Sequence, residues 1–211
     1  MIRKANINDL DRLVEIHMQN FDGNELSIIL GRNFVRNFYK LILSDCNSNI
    51  NVVVINDVIS AFSTVFLKYS DFEKKIKIKS FTSILFFLIR HIFNLKKIQS
   101  VYKSAKTKKF SNYLDIDTYD FYVGAFVIDI SYSEKPIVAI ELSKAYARNI
   151  KLLEKYSSTY WGSCRVSNNK SLRMLKSKGM SSILEIESYP ENIYLAIKEK
   201  KNEVSTTEHY R

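Results

Sequence analysis

The order of strand-like and helix-like segments is the feature of this 211-residue sequence that most restricts its fold. Short β-branched and apolar runs alternate with segments whose apolar residues recur every three or four positions, which is the period of an amphipathic helix. Strands are predicted over 1–5, 51–55, 58–67, 121–130, 158–166, 182–188 and 192–198, and helices over 8–21, 27–43, 136–156 and 168–179. This interleaved order predicts an α/β protein whose helices cover a mixed sheet.

Local signals support these boundaries. Asn8 is predicted to cap the first helix, with Asp11 three positions later. Asn56-Asp57 separates two apolar runs and is a hairpin turn signal, and Pro136 suits the first turn of a helix. The chain has five Gly, two Pro and no low-complexity tract, so residues 1–211 are predicted to form a single domain.

The segment from Asn168 to Met180 joins a predicted strand to a short helix. Asn168 opens the turn, the small residue Ser171 follows three positions later, and Gly179 with Met180 ends the helix. Asn and Gly terminate helices in any fold. Together with the order of the surrounding elements, however, this segment resembles the C-terminal signature of the GNAT superfamily of N-acetyltransferases. The resemblance covers the chain from end to end and implies the GNAT acyl-CoA N-acyltransferase fold.

That resemblance implies acyl transfer from acetyl-CoA, or another acyl-CoA, to the primary amine of a small molecule. Such chemistry needs a base that removes a proton from the amine, backbone donors that hold the thioester oxygen, and often an acid for the leaving thiolate. In the family, the fourth strand diverges from the fifth, and its free backbone groups pair with the pantetheine arm. The residues implied here are Phe126, Val127 and Ile128, with Asn168 and Ser171 also beside the cofactor.

The turn after this strand departs from the family pattern. Relatives place Arg or Gln, then Gly, then Gly or Ala where this chain has Ser133, Pro136 and Val138. Pro136 has no amide hydrogen for a pyrophosphate, although proline in the first turn preserves the helix and its dipole. We expect Ser133 and Lys135 to compensate with side-chain contacts, with Ile137 and Val138 beside the cofactor. The departure leaves open an alternative, a catalytically silent GNAT-fold binding protein that has lost normal CoA binding.

The general acid is not supplied by the usual position. Relatives frequently have Tyr four residues before the glycine, where this chain has Leu175, which has no proton to give. Either the thiolate leaves unassisted, since a thiol of pKa ~8.5 is a fair leaving group, or another hydroxyl, such as that of Tyr160 or Tyr132, donates the proton.

The general base is not assigned by a motif either. Relatives often use a carboxylate early on the fourth strand, and the nearest matches are Asp120 and Tyr122. Asp22 and Glu25 join the first two helices and would line the acceptor side in such a fold. The alternative for each acid is a solvated loop carboxylate. Tyr122, Asp120 and Glu25 are the residues that we select as catalytic candidates.

A lysine-rich insert at 72–117 separates the third and fourth predicted strands. Its apolar run at 81–95 is fifteen residues long, whereas a membrane-spanning helix needs ~20. A helix packed on the core is the favoured interpretation, and a helix lying on an anionic membrane surface is the alternative. The insert also resembles the helical insertion of GNAT relatives from bacterial polysaccharide loci, which implies an amino-sugar acceptor.

The formal net charge of +10 favours an anionic partner: a phosphorylated cofactor or substrate, nucleic acid or lipid. Much of this charge is equally well explained as solvated surface. The insert lacks interleaved aromatic residues in a stacking pattern, so no nucleic-acid partner is expected. A nucleotide-linked amino sugar would suit the charge, and a homodimer is left open. Two Cys and three scattered His predict no disulfide framework and no metal site, and a cytoplasmic location is expected.

Overall fold

The computed structural model describes residues 1–21, 23, 25–91, 94, 98, 99, 101–103, 120–188 and 190–198. The strands are β1 (Ile2–Lys4), β2 (Ser48–Ile55), β3 (Val58–Phe66), β4 (Tyr122–Ile128), β5 (Tyr160–Arg165), β6 (Ser182–Ile186) and β7 (Ile193–Lys198). Around them lie the helices α1 (Leu10–Asn20), α2 (Leu26–Leu30), α3 (Arg32–Ser44), α4 (Tyr69–Arg90), α5 (Pro136–Glu154) and α6 (Asn169–Ser177). Short 3-10 turns cover Ile7–Asp9 and Ile130–Tyr132.

The strands form one seven-stranded mixed sheet in the order β1-β2-β3-β4-β5-β7-β6. The β4–β5 pair is parallel, and the other neighbouring strands are antiparallel. Helix α5 is the crossover that a parallel pair requires. The α/β mixed sheet predicted from the order of elements is confirmed.

The core lies on both faces of this sheet. Helices α1 and α3 pack on one face, where Leu13 and Val35 join Phe62 of β3 in one buried cluster. Helix α5 covers the other face, with Val138 and Tyr146 fully buried. Strands β2 and β3 are therefore covered on both sides, which explains why nearly all of their residues are buried.

Two helix boundaries differ from the sequence prediction. The cap at the first helix is Asn6, not Asn8, because the Asn6 side chain accepts from the Asn8 amide and Asp9 completes a capping box. The helix predicted over 27–43 is divided into α2 and α3 at Gly31, whose φ of 88° is unfavourable for other residues. The hairpin at Asn56-Asp57 is confirmed, with φ of 49° and 60°.

Helix α4 forms the first part of the insert between β3 and β4. Phe72 and Phe87 are buried, but Phe81, Phe86 and Ile89 are 66%, 69% and 65% exposed. The expectation that this apolar run packs on the core is wrong for these side chains. The described residues of the chain between α4 and β4 do not include 92, 93, 95–97, 100 and 104–119. None of the described helices is long and apolar enough to cross a bilayer.

Candidate functional site

A cleft of about 1010 Å³ opens where β4 and β5 separate. The two strands pair only at Tyr122 with Trp161 and at Val123 with Gly162. Beyond Val123, β4 continues to pair with β3 on its other edge but not with β5. The backbone groups on the β5 side of β4 therefore lack a strand partner, and an extended ligand could satisfy them by adding to this edge.

The cleft brings together many of the residues predicted to bind the cofactor. Phe126, Val127 and Ile128 line it from β4, and Ser133 lines it from the loop between β4 and α5. Asn168 and Ser171 line it at the start of α6, where the Asn168 side chain accepts from the Ser171 amide at 3.0 Å. The cap thus fixes the start of α6 at the wall of the cleft.

The other predicted loop residues do not line the cleft. Val138 is buried in the core and Ile137 is exposed. The Lys135 ammonium lies 4.5 Å from the centre of the Tyr132 ring. That distance suits a cation–π contact. The sequence prediction grouped these residues by their position in the family pattern, whereas the fold disperses them.

Three amides of this loop donate hydrogen bonds within the loop itself. Ser133 N donates to Ile130 O at 3.1 Å, Lys135 N donates to Tyr132 O at 3.0 Å, and Val138 N donates to Lys135 O at 3.0 Å. Pro136 has no amide hydrogen. A pyrophosphate at this position would therefore meet fewer available donors than in a glycine-rich loop.

Asp129 holds the loop in this conformation. It is 1% exposed, and its carboxylate accepts from the Ser131 amide at 2.7 Å, so Asp129 shapes the turn. The same carboxylate pairs with Arg12 of α1, which also binds Glu15. Burial alone would lower the pKa of Arg12, but the hydrogen bond to Glu15 and the charge of Asp129 raise it. This ion pair connects the loop to α1.

Two cations on α6 line the cleft and were not selected from the sequence. Lys170 and Arg173 are three residues apart, so they share one face of the helix. Within the described part of the chain, neither has an ion-pair partner. The signal that could have identified them is their position directly after the Asn168 cap. They provide unneutralised positive charge on the α6 wall of the cleft.

Tyr122 lies at the closed end of the cleft, where β4 and β5 are still paired. Its hydroxyl is 3.2 Å from Ser163 Oγ, and its ring centre is 4.2 Å from that of Trp161. Burial raises the pKa of the Tyr122 hydroxyl, which therefore stays protonated at neutral pH. This hydroxyl can donate a proton or a hydrogen bond into the cleft.

Glu25 lies on the opposite wall, in the segment before α2. Its Oε1 accepts from Arg165 Nη2 at 2.5 Å and from Arg165 Nε at 3.0 Å. Arg165 Nη1 is also 4.0 Å from Glu191. Glu25 is the sole carboxylate among the described residues that line the cleft. It is therefore placed to bind an ammonium group, while Arg165 holds its orientation.

Asp120 has a different environment. Its carboxylate accepts from the Ser70 amide at 2.7 Å and its carbonyl from the Tyr69 amide at 2.9 Å, so it caps the start of α4 outside the cleft lining. Asp22 lies outside the described residues. Tyr160 is buried, and its hydroxyl donates to Glu154 at 3.3 Å. Tyr122 and Glu25 are the catalytic candidates that the fold brings to the cleft.

Leu175 occupies the position at which GNAT relatives frequently have the Tyr that acts as general acid. It is 1% exposed and packs over Gly162, where an added Cβ would lie 2.9 Å from Leu175 Cδ2. The position is thus part of the core. Cys164 does line the cleft, but burial raises its pKa to about 11, so it is a thiol at neutral pH.

His17 is a packed helix histidine. Its ring nitrogens contact the Tyr39 hydroxyl at 3.0 Å and Ser27 Oγ at 2.9 Å, and burial lowers its pKa to about 4. Within the described residues, no group of three or more His, Cys, Asp and Glu side chains is placed to hold a metal ion.

No protein-family model and no curated protein matches the sequence. Several solved structures are similar to the fold of this chain. An N-acetyltransferase from Staphylococcus aureus is 16% identical, with 93% of this chain and 99% of that chain covered and a TM-score of 0.56. A ribosomal-protein-alanine N-acetyltransferase from Brucella melitensis is 11% identical over 93% and 96%, with a TM-score of 0.53. A spermidine N-acetyltransferase chimera from Vibrio cholerae is 9% identical over 93% of each chain, with a TM-score of 0.51.

The chain has the GNAT fold. The fold class implied by the motif at Asn168–Met180 is thereby confirmed. At such low identities the likeness concerns the fold alone.

Proposed function

We propose that the protein transfers an acyl group, acetyl in the first instance, from acyl-CoA to a primary amine of a small molecule. The observation that carries this proposal is the separation of β4 from β5 after two paired positions. It leaves an open strand edge beside a cleft of about 1010 Å³, with a protonated hydroxyl at one end and a carboxylate on the wall. Bound acyl-CoA would supply the activated thioester.

The cleft suits the two halves of acyl-CoA unequally. The edge of β4 at Phe126, Val127 and Ile128 can pair with the amides of the pantetheine arm. The loop after β4 is a poor fit for the pyrophosphate, because the amides of Ser133, Lys135 and Val138 donate within the loop and Pro136 has no amide hydrogen. Lys170 and Arg173 provide the positive charge that this loop lacks. We therefore assign the phosphates to the α6 wall, with Asn168 and Ser171 nearby.

The chain supplies candidates for both proton transfers. Burial raises the pKa of Tyr122, so its hydroxyl stays protonated and can donate a hydrogen bond to the leaving thiolate, and Ser163 positions this hydroxyl. Glu25 would bind the amine as an ammonium ion and orient it. A proton can then pass from the amine to Glu25, directly or through water.

The acceptor is proposed from the charge of the whole chain, because the cations of the cleft are already assigned. Lys170 and Arg173 bind the phosphates of acyl-CoA in this proposal, and Arg165 pairs with Glu25. Proteins of this fold are named for amines as different as spermidine and a ribosomal-protein alanine, so the fold does not select the acceptor. The formal net charge of +10 favours an amine that also carries an anionic group. We propose a nucleotide-linked amino sugar, which carries both an amine and a diphosphate.

The first test is thermal unfolding with and without acetyl-CoA. A ligand at ~100 times its Kd that binds only the native state stabilises it by ~2.7 kcal/mol. We expect a clear rise in Tm with acetyl-CoA. We also expect thiol release with nucleotide-linked amino sugars that exceeds release with their N-acetylated forms, which lack a free amine. Absence of both effects contradicts the proposal.

A catalytically silent binding protein is the second candidate. The internally bonded loop amides and Pro136 favour it. It predicts a ligand-induced rise in Tm without thiol release on any amine. Turnover whose kcat falls in Tyr122→Phe and whose KM for the amine rises in Glu25→Gln would exclude it.

A further inference from the structure

Helix α4 has apolar side chains on two opposite faces. Its inner face packs on the core: Phe72 contacts the rings of Phe38 and Phe66, and Phe87 is 7% exposed. Its outer face carries Ile78, Phe81, Leu85 and Ile89, spaced three and four residues apart and therefore aligned. Phe86 lies next to this row. We call these five side chains the α4 outer patch.

The α4 outer patch is too exposed to be explained as part of the core. Its exposed fractions are 76% for Ile78, 66% for Phe81, 48% for Leu85, 69% for Phe86 and 65% for Ile89. From Ile78 to Ile89 it extends about 16 Å along the helix. Single exposed apolar residues are normal, whereas a contiguous apolar patch marks an interaction surface.

The charge beside the patch indicates what covers it. Helix α4 carries four lysines and Arg90 against two acidic residues, Asp71 and Glu73. The lysines all lie at 74–79, directly before most of the patch, and Arg90 follows it. Lys75 and Lys77 have acidic partners, but Lys74 has none within the described residues. Apolar residues bounded by cations suit an anionic lipid surface, where the apolar groups enter the interface and the cations meet headgroups.

A second copy of the chain is less complementary to the α4 outer patch and its lysines than an anionic lipid surface. It would bring the same lysines and the same net charge of +10 into the contact. Like charges facing each other oppose association. A bilayer containing anionic lipids supplies both the apolar environment and the opposite charge.

We propose that the α4 outer patch docks the protein on the surface of a membrane that contains anionic lipids. The contact is peripheral, and α4 lies in the interface. Tyr69, the first residue of α4, has its ring centre 4.6 Å from that of Tyr122 at the closed end of the cleft. Docking by α4 therefore holds the cleft near the membrane surface. This inference does not depend on the proposed enzymatic activity.

The experiment is co-sedimentation of the full chain with vesicles of phosphatidylcholine containing 30% phosphatidylglycerol, a composition chosen for the assay. The test variant is Phe81→Ser/Leu85→Ser/Ile89→Ser. The matched control is Ile7→Ser/Ile140→Ser/Leu184→Ser, which removes three exposed apolar side chains elsewhere, 56%, 52% and 45% exposed. The replaced side chains are exposed in both variants, and circular dichroism melts verify that each remains folded.

We expect the wild-type chain and the control variant to sediment with the anionic vesicles. The partition coefficient of the α4 variant should fall at least roughly tenfold, because the variant lacks three apolar side chains that would enter the lipid interface. Lys74→Glu should weaken binding, and added salt should reduce it. Recovery of the wild-type chain in the supernatant overturns the proposal, as does equal loss in the control variant. A dimer that depends on these three residues, without vesicle binding, would assign the patch to a second copy.

Discussion

Removal of the positive charge on the α6 wall is the most informative perturbation of the cleft. Lys170 and Arg173 face the cleft without acidic partners in the described part of the chain. Both are exposed, so water screens their interaction with a phosphate, and each is worth about 1 kcal/mol. That corresponds to a roughly fivefold loss of acetyl-CoA affinity for each Ala substitution and ~25-fold for the double variant.

Isothermal titration calorimetry with acetyl-CoA measures these losses. Lys176→Ala is the matched control, because it removes an exposed cation from the same helix outside the cleft lining. S-acetylpantetheine provides a second control: it lacks the phosphates, so its affinity should be the same for the wild-type chain and the double variant. Added salt should weaken acetyl-CoA binding more in the wild-type chain than in the double variant.

An unchanged Kd for acetyl-CoA in Lys170→Ala/Arg173→Ala would contradict phosphate binding at the α6 wall. A loss confined to Lys135→Ala would place the pyrophosphate at the loop after β4, as the sequence pattern implied. Equal losses for acetyl-CoA and S-acetylpantetheine would show that the substitutions disturbed the cleft rather than a phosphate contact.

Three further outcomes are expected. Tyr122→Phe should lower kcat by about 10² with the Kd for acetyl-CoA unchanged, because it removes the proton donor; an unchanged kcat in stopped-flow assays would exclude that role. Glu25→Gln should raise the KM for the amine about tenfold, since it removes a charged partner of the ammonium; a change in acetyl-CoA affinity alone would argue against acceptor binding. Unfolding free energy should fall as pH decreases from 6.5 to about 4, because the unfolded chain binds a proton at His17 that the native state excludes. The loss is ~1.4 kcal/mol per pH unit, and urea titrations of His17→Gln should show a shallower pH dependence.

The sequence was sufficient for the order of the elements because each has a clear apolar period. It was less reliable where local and tertiary preferences compete. Asn6 and Asn8 are both good caps, and only the side-chain contact with Asp9 favours Asn6. The apolar residues of helix 27–43 continue across Gly31, which hides the break that its positive φ introduces.

The site was harder to predict, because its contacts join distant positions. Glu25 and Arg165 meet across 140 residues, and no local pattern encodes that pair. The apolar run of α4 shows a related difficulty. Composition identifies Phe81 and Phe87 equally as apolar, but only the fold determines that one is exposed and the other buried. Lys170 and Arg173 are spaced so that they share one face of a helix, yet only the position of the cleft distinguishes them from other surface cations.

The contact of Leu175 with Gly162 limits where the cleft can be redesigned. Leu175 is 1% exposed, and a Cβ added at Gly162 would lie 2.9 Å from Leu175 Cδ2, so the interior at this position is closed. Leu175→Tyr would add volume to this closed interior and destabilise the fold before its hydroxyl could act as a proton donor. An engineered proton donor at this position would therefore require smaller neighbouring core side chains.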